Sequence, residues 1–223
     1  MIRVLLVDDH AVVRTGLRLL LDTTPDLSTV GEAADGLDAI RLSHELRPDV
    51  VLMDLHLPGL DGVAATERIT AELPEARVLA LSTFDLQEHV VAALRAGASG
   101  FLPKDVSPEE LIDGIRIVHR GDATVAPRLL LGLIGTFVRP ARPRTVAPPS
   151  AELSVLSERE LRVLELIASG LSNAQIAQEL GLSISTVKNR VSDLFAKLGI
   201  RDRAQAVIVA YEAGLVTPGD GRA

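Results

Sequence analysis

Three aspartates stand where apolar stretches of the chain end. Asp8 and Asp9 follow the apolar residues 4–7, and Asp54 follows the apolar residues 50–53. Such runs are typical of strands that are covered on both faces, and in open parallel sheets ligands bind where these strands end. Carboxylates that share a pocket raise each other's pKa unless a cation lies among them, and Mg²⁺ prefers oxygen ligands. The three aspartates therefore predict a magnesium site.

Two further polar residues, Ser82 and Lys104, stand at the ends of two later predicted strands. Together with the aspartates they form a set of three carboxylates, a hydroxyl and an ammonium, which suits phosphoryl transfer to a carboxylate. In this interpretation Asp54 is the nucleophile, Asp8 and Asp9 hold the metal, and Lys104 meets the phosphoryl oxygens. Taken singly, each residue also has an ordinary explanation, such as a helix cap for an aspartate or a solvated surface position for the lysine.

The elements that position these residues alternate along the first 122 residues. Strands are predicted near 2–7, 28–33, 49–53, 76–82 and 99–102, and helices near 10–22, 36–46, 60–72, 86–97 and 107–120. This alternation predicts an α/β fold, a doubly wound (flavodoxin-like) parallel sheet of five strands. Because the carboxyl ends of parallel strands meet at one edge, the candidate residues are expected to share one pocket.

A second domain is predicted beyond a proline-rich tether. Residues 139–150 contain four prolines and three arginines without apolar periodicity, so they are expected to be extended. We predict a first domain over 1–122, a linker over 123–153 with a helix near 128–138, and a second domain over 154–218. Capping boxes and glycines predict four short helices in this second, all-α domain, near 157–168, 172–180, 184–198 and 203–213.

Residues 172–198 fit a helix-turn-helix, in which the second helix enters the major groove of DNA. An apolar stripe that includes Ile184 is assigned to the core of this domain. On the polar face, Lys188 and Asn189 are candidates for reading base edges. Further candidates for DNA contact are Arg190, Ser192, Lys197 and Arg203. The alternative for Arg190 and Lys197 is a solvated helix face.

Charge and composition limit the class of protein. The net charge is −7, but residues 1–124 carry 11 Lys and Arg against 21 Asp and Glu, whereas residues 154–223 carry eight of each. Two domains with different partners are therefore expected. The sequence contains no cysteine, which excludes disulfides and thiolate metal sites. Without a signal-like segment or an apolar run of membrane-spanning length, the chain is expected to be soluble and cytoplasmic.

The motifs described above resemble a known family. Over residues 1–122, the aspartates with Ser82, Phe101 and Lys104 resemble the receiver domain of two-component response regulators. Over about 154–216, the capped helices and the Thr186-Val187-Lys188-Asn189 motif resemble the LuxR-type DNA-binding domain. Joined in this order, the two resemble NarL/FixJ-type response regulators. Three positions depart from the commoner pattern: Phe101 replaces tyrosine, Pro103 precedes the lysine instead of following it, and Arg190 replaces histidine.

The resemblance implies roles for these residues. Asp54 would accept a phosphoryl group from a partner histidine kinase, and Mg²⁺ would be bound by Asp9, Asp54 and the main-chain carbonyl of His56, with Asp8 acting partly through water. Ser82 and Phe101 would be the switch residues. The resemblance further implies a transcription regulator, not an enzyme, that binds double-stranded DNA as a homodimer when phosphorylated. Its dimerisation helix would contain Ala204, Val207, Ile208 and Tyr211.

Two other functions would fit part of this sequence. Phosphohydrolases of the haloacid dehalogenase type also use an aspartate nucleophile, but they resemble a D-x-D pattern, and position 56 here is histidine. A protein-interaction adaptor without DNA binding is the second alternative. The polar face of Lys188, Asn189 and Ser192 argues against the adaptor.

Overall fold

The computed structural model describes residues 1–83, 87–121, 124–125 and 153–216. The chain divides into two compact units, Met1–Leu133 and Ile134–Ala223, and each is described by itself. The predicted helix near 128–138 and the tether over 139–150 lie outside the described residues. No described helix is long and apolar enough to cross a membrane.

The first unit is a parallel sheet flanked by helices. Its elements are β1 (Ile2–Val7), α1 (Ala11–Asp22), β2 (Leu27–Ala33), α2 (Gly36–Leu46), β3 (Val50–Asp54), α3 (Gly62–Glu72), β4 (Arg77–Ser82), α4 (Gln87–Arg95), β5 (Gly100–Pro103), α5 (Pro108–His119) and β6 (Thr124–Val125). The strand order is β2-β1-β3-β4-β5-β6, and every neighbouring pair is parallel. The predicted fold class is confirmed. The short β6 was not predicted, because two residues carry no periodic signal.

Apolar side chains fill both faces of this sheet. Alternate residues of β1 point to opposite sides, so that Val4 and Leu6 pack with α1 and α5, whereas Leu5 and Val7 pack with α2 and α3. A slip of one residue would exchange the side chains packed in the two layers, and each close-packed layer fits its own set of side chains, so packing on both faces fixes the register. Val7 is thereby paired with Met53. This register brings the residues after β1 beside the last residue of β3.

A glycine allows α3 to begin directly against the end of β3. A Cβ atom at Gly62 would lie 2.0 Å from the main-chain oxygen of Asp54 and 2.7 Å from the Cα of Leu55. The Gly62 amide donates a hydrogen bond to the Leu55 carbonyl at 3.0 Å. Only a residue without a side chain fits this approach, so Gly62 sets how α3 packs behind Asp54.

The second unit is made of helices α6 (Glu158–Ala168), α7 (Asn173–Leu180), α8 (Ile184–Leu198) and α9 (Arg203–Glu212). The predicted capping boxes at Ser157 and Ser172 are present. Gly181 has φ +65° and ends α7 in the left-handed conformation, which turns the chain into α8. The buried core of the unit includes Leu164, Ile167, Ile176, Val187 and Leu194.

We expect Gly62→Ala to lower the free energy of unfolding by about 2 kcal/mol or more, because its methyl group would overlap main-chain atoms. Gly16→Ala is the matched control, since a Cβ at Gly16 in α1 meets nothing within 4 Å. That variant should gain about 0.5–1 kcal/mol from helix propensity. Urea unfolding followed by circular dichroism measures both. Equal stability of the two variants would contradict the close packing of α3 on β3.

Candidate functional site

The predicted pocket residues come together at the carboxyl edge of the sheet. Asp8 follows β1 and is 1% exposed, and Asp54 ends β3 and is 2% exposed. Ser82 ends β4 and is fully buried. Lys104 follows β5, and its main-chain amide donates to the Ser82 carbonyl at 2.8 Å. Four of the five predicted pocket residues are therefore buried or nearly so at adjacent strand ends.

The ammonium of Lys104 lies between two buried carboxylates. Its Nζ is 2.5 Å from Oδ2 of Asp8 and 2.9 Å from Oδ2 of Asp54. Burial, the largest single effect, lowers the pKa of Lys104, but the hydrogen bonds and charges of Asp54 and Asp8 together outweigh it and raise this pKa above its ordinary value. The lysine therefore stays charged at neutral pH and offsets the cost of burying both carboxylates.

The remaining oxygens of the two buried aspartates accept hydrogen bonds from the main chain. The His10 amide donates to Oδ1 of Asp8 at 2.9 Å, and the His56 amide donates to Oδ1 of Asp54 at 3.1 Å. Asp9 is different, since its side chain is 34% exposed and its Oδ1 lies 2.6 Å from Nδ1 of His10. Ligand atoms of Asp8, Asp9 and His10 all lie within 4.8 Å of one another, a spacing that could hold a metal ion.

The proline before Lys104 does not displace the lysine from the pocket. Pro103 is the last residue of β5, and it is paired with Ser82 in the register of β4 and β5. The hydrogen bond from the Lys104 amide continues this pairing by one residue. Phe101, two residues before Pro103, is fully buried. Both predicted switch residues thus lie in the interior, on neighbouring strands.

Two features near Asp54 were missed in the sequence. Gly62 lies against the Asp54 backbone, and a glycine that follows the strand by a short loop is the only sequence signal for it. The rings of His56 and His89 meet edge to face, with centroids 5.0 Å apart. This contact joins the loop after β3 to α4. It could not be expected from a spacing of 33 residues.

On the second unit, α8 presents the predicted polar face. Lys188, Asn189 and Ser192 are exposed, and Arg190 is half-buried. The assignment of Ile184 to the core was wrong, because this residue is 50% exposed. Ile184 is the first residue of α8, and side chains in a helix point toward its N-terminus, so the side chain of Ile184 extends beyond the packed turns.

Two basic candidates on this unit are engaged within the protein. Nζ of Lys197 lies 2.7 Å from Oε1 of Glu160, and the hydrogen bond from Lys197 is the first cause that lowers the pKa of Glu160 to about 2. The guanidinium of Arg203 donates to the main-chain carbonyls of Leu171 and Ile167. Both side chains therefore tie helices of the unit together.

The helix predicted to form the dimer surface is largely covered. Ala204 and Ile208 are 2% and 6% exposed. Val207 and Tyr211 are half-buried, and burial raises the pKa of Tyr211. Of the four predicted dimer residues, Val207 and Tyr211 are the two with side-chain area open to a partner.

Comparisons with known proteins agree with this geometry. The family model of the response regulator receiver domain matches residues 4–116, and that of bacterial regulatory proteins of the luxR family matches residues 154–210. The response regulator protein VraR from Staphylococcus aureus is 40% identical over 216 residues, which cover 96% of this chain and 99% of VraR.

Solved structures are similar as well. The response regulator ChrA of a heme-sensing two-component system is 37% identical, with a TM-score of 0.52 over 96% of this chain and 98% of ChrA. A response regulator of the LuxR family from Aurantimonas sp. SI85-9A1 is also 37% identical, with a TM-score of 0.58 over 61% of this chain and 97% of that protein.

We expect Lys104→Met to lower the free energy of unfolding at pH 7 by about 2–3 kcal/mol, because two buried carboxylates lose their cation. Repulsion then raises the pKa of one carboxyl in the folded state. Protonation of this carboxyl relieves the repulsion, so the variant regains stability as the pH falls through the raised pKa. The difference in unfolding free energy between Lys104→Met and wild type should therefore shrink toward pH 5.

Urea unfolding at pH 7 and pH 5 measures this effect. Arg116→Met is the control, because it breaks the partly exposed pair with Asp26, in which Nη2 lies 2.7 Å from Oδ1. Such pairs contribute about 1 kcal/mol or less. A deficit of Lys104→Met that stays the same at both pH values would contradict the account.

Proposed function

Because the chain belongs to the response regulators, in which a receiver domain is joined to a luxR-family DNA-binding domain that regulates transcription, we propose that phosphorylation of Asp54 is its switch. The observation that carries this proposal is the Lys104 ammonium held between the buried carboxylates of Asp8 and Asp54. A buried carboxylate beside a fixed cation is a nucleophile with a prepared partner for incoming phosphoryl oxygens.

The phosphoryl donor in this proposal is a phosphohistidine of a partner histidine kinase. An oxygen of Asp54 forms the new bond to phosphorus as the bond between phosphorus and the kinase imidazole breaks, and the imidazole leaves with the electron pair. Oδ1 of Asp54 already accepts from the His56 amide, so the carboxylate is oriented before the donor arrives. Lys104 is placed to stabilise the negative charge that gathers on the phosphoryl oxygens.

Carboxylates of Asp8, Asp9 and Asp54 and the main-chain carbonyl of His56 supply the hard oxygen ligands that suit Mg²⁺. When bound, this ion neutralises the charge of the acidic pocket and of the incoming phosphoryl group. The His10 amide donates to the carboxylate of Asp8 and the His56 amide donates to that of Asp54, so the main chain holds both carboxylates in place. We propose that these four residues hold the ion, Asp8 partly through water.

Phosphorylation changes the charge that Lys104 meets. The phosphoryl group adds a charge of about −1.5 to −2 and three acceptor oxygens. Lys104 can then exchange its bond to Oδ2 of Asp54 for bonds to phosphoryl oxygens, and the Ser82 hydroxyl can donate to the same group. Because Ser82 ends the strand beside β5, this movement would change the space around the buried ring of Phe101. We propose this sequence as the switch.

The same pocket could in principle serve a phosphohydrolase of the D-x-D type. Position 56 is histidine, so the second carboxylate of that pattern is missing. We therefore propose that the chain is a regulator and not an enzyme. We propose that it acts in the cytoplasm, because its proposed target is DNA.

For the DNA-binding domain we propose that α8 enters the major groove. Lys188 and Asn189 would meet base edges, and Arg190 and Ser192 would lie beside them. Lys197 is paired with Glu160, and Arg203 donates to the carbonyl of Leu171. We therefore propose that these two residues stabilise the packing of the helices and do not contact DNA. We retain a receiver domain over 1–122, a linker over 123–153 and a DNA-binding domain over 154–218 as the proposed boundaries.

We propose that the phosphorylated protein binds two half-sites as a homodimer. Within the predicted dimer helix, Val207 and Tyr211 keep part of their surface open, and they are the residues we expect at the contact. Ala204 and Ile208, which are buried, would support them from the interior of the domain. Phosphorylation would favour pairing through the receiver surface that moves with Phe101.

The phosphorylation step is tested by intact mass after treatment with acetyl phosphate and Mg²⁺. Wild-type protein should gain one phosphoryl group, and Asp54→Asn should gain none, because the nucleophile is gone. Asp38→Asn, which removes a half-exposed carboxylate on α2, is the control and should be phosphorylated like wild type. If Asp54→Asn gained the same phosphoryl adduct as wild type, Asp54 would not be the phosphoryl acceptor.

The DNA contact is tested by affinity selection from genomic fragments, followed by binding measurements on the enriched motif. We expect Lys188→Ala to cost about 1–3 kcal/mol of binding free energy and to relax the choice of bases. Lys197→Ala should have a smaller effect that is uniform across sequences, since Lys197 is paired with Glu160. A larger loss for Lys197→Ala than for Lys188→Ala would contradict the assignment.

A further inference from the structure

Arg14, the fourth residue of α1, reaches back to the loop that carries the acidic pair. Its Nη1 donates to the main-chain carbonyl of Asp8 at 2.6 Å. We propose that Arg14 is a positioning residue for the divalent cation, which acts by fixing the peptide group between Asp8 and Asp9. The inference rests on the proposed function, in which both aspartates hold the ion.

The contact is well placed to fix this loop. The side chain of Arg14 is only 17% exposed, and its Nε lies 3.4 Å from Oε2 of Glu32 on β2. The Arg14 amide also donates to the His10 carbonyl at 3.1 Å, where α1 begins. The guanidinium therefore joins the strand end to the neighbouring strand, and the Arg14 amide fixes the same residue to the first turn of the helix. A charge-assisted hydrogen bond to a carbonyl is stronger than a neutral one.

The two aspartates depend on this peptide to different degrees. Both side-chain oxygens of Asp8 are held, one by the Lys104 ammonium and the other by the His10 amide. The carboxylate of Asp9 is one-third exposed and meets the ring of His10, which is itself 70% exposed. The orientation of Asp9 therefore depends on the peptide to which it is attached, and Arg14 holds the carbonyl of that peptide.

The charge of Arg14 and its position have opposite effects on a divalent cation. A guanidinium beside the pocket repels the ion, so removal of the charge alone would tighten binding. Loss of the fixed peptide lowers the fraction of molecules in which Asp9 is ready to bind, and the apparent Kd rises by the same factor. The sign of the change in Kd therefore distinguishes positioning from charge.

Arg18 provides a matched control on the same helix. Its Nη1 lies 3.0 Å from Oε1 of Glu32, and its side chain is 58% exposed. Arg18→Met removes one cation and one pair with Glu32, as Arg14→Met does, together with an exposed pair with Asp22 on the same helix, but leaves the Asp8 carbonyl bound. Glu32 keeps one arginine partner in each variant. A difference between the two variants therefore reports the contact with the Asp8 carbonyl.

The test is a titration of the full-length chain with MgCl₂, followed by NMR through the main-chain amide shifts of the loop after β1. Arg14→Met should raise the Kd for Mg²⁺ about tenfold, and Arg18→Met should leave it unchanged. Arg14→Lys keeps the charge and one donor, so it should raise the Kd less. At saturating Mg²⁺, Arg14→Met should be phosphorylated by acetyl phosphate at the wild-type rate, whereas Lys104→Met stays slow.

A Kd of Arg14→Met equal to or below that of wild type would overturn the inference and leave the proposed function standing. A rate of Arg14→Met that stays low at saturating Mg²⁺ would also overturn it, because positioning of the ion would not be the defect. Wild-type protein whose amide shifts do not respond to Mg²⁺ would remove the proposed metal site and the inference with it. If Arg14→Met does not fold, Arg14→Lys is used in its place. A Kd of Arg14→Lys above that of wild type then supports the inference, and a Kd equal to or below it overturns the inference.

Discussion

Two carboxylates are buried at one end of the sheet, and the ammonium of Lys104 between them makes this arrangement stable. An unpaired ionised carboxylate in such a place would cost several kcal/mol. Lys104 offsets this cost by direct contact with Asp8 and Asp54. Since the lysine contacts Asp54, the proposed acceptor of the phosphoryl group, a change of charge at Asp54 must redistribute these bonds. The interaction that stabilises the resting site is thus also the one through which a signal would act.

The geometry of this charged group is set by main-chain contacts. Burial on both faces fixes the register of β1 and β3, which brings Asp8 beside Asp54. The amide of Lys104 binds the Ser82 carbonyl and so extends the pairing of β4 with β5. Gly62 lets α3 start against the backbone of Asp54. Because these contacts belong to the backbone, side-chain charges can change in the pocket without loss of the frame.

Local patterns predicted the sheet, the four-helix unit and the pocket, because apolar runs, capping boxes and strand ends are formed by residues that lie close together in the sequence. Contacts between residues that are distant in the sequence could not be predicted in this way. Lys197, a candidate for DNA contact, is paired with Glu160, which lies 37 residues away in the sequence. Arg203, a further candidate for DNA contact, donates to the carbonyl of Leu171, which lies 32 residues away. A charge count treats both as free cations, and only the packing of the helices shows otherwise.

The chain contains three lysines, Lys104, Lys188 and Lys197, so each can be followed by NMR in protein with isotope-labelled lysine. The most direct test of the account is a pH titration of the Lys104 side chain in wild type and in Asp54→Asn. Because both buried carboxylates hold the ammonium, we predict a pKa of Lys104 above the ordinary lysine value of 10.5 in wild type and a lower pKa in the variant. A lysine that titrates at or below 10.5 in both proteins would contradict it, because the ammonium would not be held by the buried carboxylates.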